Sequence, residues 1–260
     1  MRRIVVKVGT STLTYPTGLI NIRHLERLCR VLADLRNAGN EILLVSSGAV
    51  GVGMGILGLP ERPRELTMKQ AAAAVGQCEL MDLYSSAFGE YNHTVAQILL
   101  TRDVVESSAR AALVRRTIRT LLSLNVIPIF NENDTVAVEE LEAVTAFGDN
   151  DTLSAIVAGL AEADLLVLFS DIDGLYDRDP HRDPQAALIP VVEAVTPELY
   201  GIAGGAGSSV GTGGMTTKLH AAEIAAENGC DMVILNGTRP ELLYDFLEGK
   251  PVGTLFRGKK

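Results

Sequence analysis

The chain has 260 residues, 47% hydrophobic and 21% charged, with a formal net charge of -9 and a pI near 5.0. A chain of this length buries roughly three quarters of its unfolded surface, so one globular domain or two intimate lobes is expected. The acidic balance argues against wrapping a nucleic acid, whose affinity rests on Lys and Arg neutralising phosphates, and the isolated Cys29, Cys78 and Cys230 argue against a disulfide framework or zinc site and for a reducing, cytoplasmic setting.

The N-terminal "MRRIVVKVGT" passes from a basic pair directly into a β-branched run, so neither a signal peptide nor a membrane span is expected. After a polar loop, Asn21 can cap a helix in which Ile22, Leu25, Leu28, Leu32 and Leu35 recur at helical spacing until Gly39. "EILLVSSG" reads as a second buried strand, and "TVAQILL", "VIPIF", "DLLVLF" and "DMVILN" as further strands. Helices are expected near residues 66 to 89, 109 to 124, 151 to 162, 216 to 228 and 239 to 247. Short strands alternating with longer helices predict right-handed crossovers and an α/β fold of three layers, a mostly parallel central sheet with helices on both faces. No repeat or Pro/Ser-rich linker divides the chain.

Ligands in such sheets bind at the carboxyl ends of the strands. There the sequence reads "KVGTS", "SSGAVGVG", "NENDT", "SDIDGLYD" and "GTRP", a polar rim around one crevice. Lys7 lies inside an apolar strand and would either face water from an edge or reach a phosphate at the strand end. "SSGA", residues 46 to 49, is either an anion-binding helix start or a plain strand-to-helix turn. "NENDT" and "GDNDT" supply short-chain donors and acceptors suited to an amino group, though Asx-rich turns also serve as caps.

"GMGILG" matches G-x-G-x-x-G but begins after its strand has ended, and no acidic ribose ligand follows at the required distance. "HRD", residues 181 to 183, lacks the downstream Asn of a protein-kinase catalytic loop. "GTGGMTTK", residues 211 to 218, fails the Walker pattern because Lys218 follows Thr217 rather than glycine. Its glycines, hydroxyls, helix start and lysine still amount to a phosphate cradle of another kind. The alanines of "KQAAAAVGQ" indicate close helix packing, and Lys69 is set aside on that ground.

Taken in order, "VVKVGTS", "VSSGAV", "KQAAAAVGQ", "LLTRDV", "NENDTV", "GDND", "DGLYDRDP", "GTGGMTTK" and "VGTLF" resemble the glutamate 5-kinases of the amino acid kinase superfamily over essentially the whole chain. The resemblance implies the amino acid kinase fold over residues 1 to 260, with a glutamate-binding lobe to about residue 160 and a nucleotide-binding lobe after it. It also implies the short form, without a C-terminal PUA domain. The implied reaction is ATP-dependent phosphorylation of the glutamate side-chain carboxylate, the first step toward proline, with Mg²⁺ on the nucleotide and no dedicated protein metal ligand. Lys7 and Lys218 would clamp the transferring phosphoryl group and Asp151 would hold both lysines. Ser47, Asp134 and Asn150 would bind L-glutamate. Ser170, Asp171, Thr212, Gly213, Gly214, Met215, Thr216, Thr217 and Lys218 would hold ATP together with Lys7. Proline is the implied feedback inhibitor and a homo-oligomer the implied assembly; sister kinases of aspartate, N-acetylglutamate or carbamate, or a non-catalytic sensor, are the alternatives. The segment between Asp134 and Asp151 is longer than the family pattern, and Val136, Val138, Leu141, Val144 and Phe147 are expected to pack when it closes over a ligand.

Overall fold

The computed structural model describes residues 1–15, 17–137, 149–180, 182–203 and 214–259. Eight strands form one sheet: β1 (Arg3–Val8), β2 (Glu41–Ser46), β3 (Val95–Leu100), β4 (Ile127–Glu132), β5 (Leu165–Ser170), β6 (Val191–Val192), β7 (Asp231–Asn236) and β8 (Thr254–Phe256). Their spatial order is β3-β4-β2-β1-β5-β7-β8-β6. The first six are parallel, β8 runs antiparallel to β7, and β6 is parallel to β8. The expected mostly parallel sheet is therefore present, and β1 occupies its middle rather than an edge.

The helices are α1 (Thr10–Leu13), α2 (Ile22–Asn37), α3 (Ala49–Leu57), α4 (Leu66–Gly89), α5 (Arg102–Glu106), α6 (Ser108–Ser123), α7 (Asn150–Ala161), α8 (Pro197–Ala203), α9 (Met215–Glu227) and α10 (Leu242–Leu247). Alternate strand residues face opposite layers. Val5, Val45, Phe130, Leu166 and Ile234 join the core beneath α6, α7 and α9, whereas Ile4, Val6, Leu44, Val167 and Leu235 join the one beneath α2, α3, α4 and α10. Each fully buried side chain of this size contributes about 1.5–3 kcal/mol. Helices thus cover both faces, giving three layers.

Local chemistry sets the helix ends. The Asn21 side chain accepts from the His24 amide at 3.1 Å, and α2 stops at Ala38, followed by Gly39 at φ +92°. Leu25, Leu28, Leu32 and Leu35 are buried as expected, but Ile22 is 59% exposed because the first helical position turns toward solvent. Leu28→Ala would open a cavity costing about 2–5 kcal/mol.

Helices α3 and α4 approach so closely that a Cβ on Gly53 would overlap the Ala72 carbonyl, and one on Gly76 the Ala49 carbonyl. This contact accounts for Gly53 of "GMGILG" and matches the close packing expected of "KQAAAAVGQ"; Gly55 packs instead on the Gly18 carbonyl, and Gly58 ends α3 at φ +64°. Beyond β5, the Thr254 hydroxyl accepts from the Leu175 amide at 2.8 Å and donates to the Ile189 carbonyl at 2.7 Å, tying the excursion before β6 to β8. Among the described residues, no helix is long and apolar enough to cross a membrane.

Candidate active site

The strand register levels the carboxyl ends of the central strands. Val8 pairs with Ser46 and with Phe169, and Val45 pairs with Phe130. Helix α3 leaves β2 on one face of the sheet while α7 returns after β4 on the other, which opens a crevice between them. The crevice has a volume of 240 Å³. Lys7, Ser47, Asp134, Asn150, Asp151, Ser170, Asp171 and Lys218 all line it, so one cleft gathers eight of the residues singled out in the sequence.

Its deepest feature is an ion triad. Asp151, in the first turn of α7, is 1% exposed and lies between Lys7 Nζ at 2.6 Å and Lys218 Nζ at 3.1 Å. Lys7 is on the α7 side of β1 because it shares the side-chain parity of Val5. Lys218 comes from the first turn of α9, and the Thr217 hydroxyl donates to Asp151 Oδ2 at 2.9 Å. Burial alone would raise the Asp151 pKa; Lys7 and then Lys218 overcome it and hold the carboxyl at about 2. The aspartate is ionised at neutral pH, and two ammonium groups are aimed at the rim by one carboxylate.

The side chain of Asp149 caps α7, accepting from the Thr152 amide at 2.8 Å, which places Asn150 and Asp151 in the first turn. Asn150 Nδ2 donates to Ser47 Oγ at 2.8 Å, to Asn131 Oδ1 at 3.1 Å and to the Ser46 carbonyl at 3.2 Å. Gly48, at φ +102°, turns the chain from β2 into α3, a conformation that favours glycine. The amino ends of α3, α7 and α9 thus meet near the cleft, where helix dipoles favour anions.

The remaining candidates fall less uniformly. Ser170 is buried at the end of β5 and its hydroxyl donates to exposed Asp171 at 3.1 Å. Gly214 precedes α9, Thr216 is exposed, and Met215 turns its side chain into the core, so toward a ligand Met215 can offer its backbone only. Thr212 and Gly213 lie outside the described residues, as do 138–148 of the long segment and His181 of "HRD". Val136, at the start of that segment, is 57% exposed.

The crevice also contains residues that sequence reasoning passed over: Thr10, Arg62, Lys69 and Asn131. Of the alanines beside Lys69, Ala72 and Ala73 are buried against the neighbouring layer, whereas Ala71 and Ala74 are exposed. Lys69, three, four and seven residues before Ala72, Ala73 and Gly76, shares their face of α4 one turn nearer the helix start, where it borders the crevice. No His, Cys, Asp and Glu group of three or more among the described residues could hold a metal ion by itself.

The amino acid kinase family model matches residues 2–236. A curated glutamate 5-kinase of Clostridium perfringens is 53% identical over 259 residues, covering 100% of this chain and 96% of that protein. A glutamate 5-kinase of Enterococcus faecalis is 50% identical over 255 residues, covering 98% and 94%. Among solved structures, carbamate kinase from Giardia lamblia bound to AMP-PNP superposes with a TM-score of 0.69 at 16% identity, covering 99% of each chain. Isopentenyl phosphate kinase from T. acidophilum gives 0.66 at 17%, covering 98% and 99%; at these identities the two establish a shared fold. With a family model spanning most of its length and relatives identical at half their positions, the chain belongs to the amino acid kinase family.

Proposed function

We propose that this enzyme transfers the γ-phosphoryl group of ATP to the side-chain carboxylate of L-glutamate, yielding glutamyl 5-phosphate and ADP. The observation that carries the reading is the Lys7–Asp151–Lys218 triad at the strand rim of a chain 53% identical to a glutamate 5-kinase. A carboxylate oxygen attacks phosphorus, the bond from the γ-phosphorus to the bridging oxygen breaks, and ADP departs with the electron pair. The nucleophile is already ionised at neutral pH, so no general base is required. What the protein supplies is alignment and positive charge where negative charge shifts.

In this reading Lys7 and Lys218 bear on the moving phosphoryl group and Asp151 keeps both in place. Ser47, Asp134 and Asn150 hold the amino acid, with Asp134 opposite its ammonium. Ser170, Asp171, the 212–218 stretch and Lys7 hold the nucleotide. The acceptor half is built from the strands before α7 and the nucleotide half from β5 onward. Mg²⁺ is proposed to come in on the nucleotide phosphates, since it dehydrates reluctantly and keeps several waters rather than taking an all-protein cage. Such an ion would offset charge on the β- and γ-phosphates. Proline shares the α-carboxylate and cationic nitrogen of glutamate and is proposed to compete at the acceptor half; a homo-oligomer is the proposed assembly.

The test is glutamate-dependent ADP release, with hydroxylamine trapping the acyl phosphate. Glutamate is expected to support turnover, and aspartate, N-acetylglutamate and carbamate to support little. Equal turnover with any of these three, or nucleotide binding without turnover, would reject the assignment.

A further inference from the structure

One side of α4 carries polar side chains two helical turns apart, Gln70, Gln77 and Tyr84, and each hydrogen-bonds a different segment, the middle one at a residue that lines the crevice. Gln70 Nε2 donates to the Ala137 carbonyl at 3.3 Å. Gln77 Oε1 accepts from Asn131 Nδ2 at 2.8 Å. The Tyr84 hydroxyl, fully buried, lies 2.9 Å from Ser46 Oγ. Since Ser46 Oγ donates to the Ser47 carbonyl at 3.1 Å, Tyr84 is the donor to Ser46. Burial pushes the tyrosine pKa up, which keeps that donor protonated.

The middle member has a chemical consequence at the acceptor site. Two backbone groups fix the sense of the amides above it. The Glu132 amide donates to Asn131 Oδ1 at 2.9 Å, so Asn131 must point its oxygen that way and its NH₂ toward α4. The Ser46 carbonyl can only accept, so Asn150 must point its NH₂ toward β2. Asn150 then spends both N–H groups on Ser46, Ser47 and Asn131, leaving its Oδ1 as the group it can present to a ligand. A carboxamide oxygen recognises a donor, and the acceptor amino acid carries one in its ammonium.

We propose that Gln77 is a positioning residue for the acceptor amino acid: by accepting from Asn131 it holds the amide relay in which Asn150 turns its oxygen to the substrate ammonium. The proposal rests on the glutamate kinase reading for the identity of that substrate. Gln77 acts only through Asn131 and lies two residue contacts from Asn150, so its removal should loosen amino-acid binding while leaving the Lys7–Asp151–Lys218 charges untouched. The interaction exists with substrate bound and in the transition state alike, which places its effect in KM.

The experiment measures initial rates with glutamate and ATP varied in turn, together with melting temperature, for the wild type, Gln77→Met, Gln77→Ala and Gln77→Glu. Loss of one neutral hydrogen bond predicts that Gln77→Met and Gln77→Ala raise the glutamate KM by about 3- to 10-fold, with kcat and the ATP KM within about twofold. Gln77→Glu retains an acceptor facing Asn131 and should restore the glutamate KM to within about twofold of wild type. A purely structural role would lower melting temperature and active fraction without a selective KM change. An unchanged glutamate KM in Gln77→Met and Gln77→Ala, or an equal rise in Gln77→Glu, overturns the relay. A wild type lacking glutamate-dependent ADP release overturns the underlying reading instead, and the relay's substrate with it.

Discussion

Replacing Asp151 with Asn keeps the shape of the side chain and removes the charge between Lys7 and Lys218. The carboxyl is held at about 2 against 3.8 for an unperturbed aspartate. A displacement of that size corresponds to about 2 kcal/mol of folding stability, after burial has already been subtracted from the attraction of the two lysines. The substitution should cost more, about 3–5 kcal/mol at pH 7, because it leaves two buried ammonium groups without their counter-charge. The sign with pH follows from a lowered folded-state pKa. The wild-type contribution is full above the unfolded value near 4, falls by about half at pH 3, and is lost as pH drops through about 2. Urea unfolding of wild type and Asp151→Asn at several pH values from 7 to 3 would report both quantities. The gap between the two proteins should be largest near neutrality and narrow toward pH 3. A gap below about 1 kcal/mol at pH 7, or one that stays constant to pH 3, would refute the account of the triad as a strongly coupled buried ion cluster.

Lys7→Ala and Lys218→Ala should each lower kcat by about 100- to 1,000-fold while changing glutamate KM little; near-normal turnover in steady-state assays would remove that lysine from the chemistry. Asp134→Ala should instead raise glutamate KM with kcat largely kept, since a charge-assisted bond to the ammonium is present before and during transfer; a collapsed kcat at unchanged KM would contradict it. Gly76→Ala, which would drive a methyl into the Ala49 carbonyl, should lower the urea midpoint by the equivalent of about 1–3 kcal/mol, and an unchanged midpoint would show that α3 and α4 can separate cheaply. Deleting residues 142–145 should change proline inhibition more than maximal rate in a glutamate-by-proline rate grid, and inhibition that high glutamate cannot relieve would place proline elsewhere.

Six strands and the long helices were legible because their signals are local: β-branched runs ended by Gly, Ser, Asn or Asp, and leucines at helical spacing after Asn21. The sequence pattern did not disclose β6 and β8, which are two and three residues long and owe their existence to pairing with each other and with β7. Short α1, α5 and α8 likewise lack room for a period. The triad was named through motif resemblance, yet its geometry needs three separate elements, β1, α7 and α9. Lys7 illustrates the limit: periodicity could not choose between an edge and the centre, whereas strand order puts it in the middle. Gln77 and Lys69 were hidden by their alanine-rich helix, where small residues mask which polar side chain faces a partner. Asn131 stood within a motif that was noticed, but its role as a relay depends on the Glu132 amide and on α4.

The interlocked glycines of α3 and α4 bear on how the acceptor is measured for length. At Gly53 and Gly76 backbone meets backbone with no adjustable side chain between, so the wall carrying Gly48, Ala49 and Lys69 should yield little and act as a gauge instead of a cushion. An amino acid one methylene shorter than glutamate, gripped by the same ammonium contacts, would stop short of the lysine pair rather than draw the wall inward. Such a near-fit would be occupied but unproductive, and discrimination by chain length would emerge in the rate of transfer more than in occupancy.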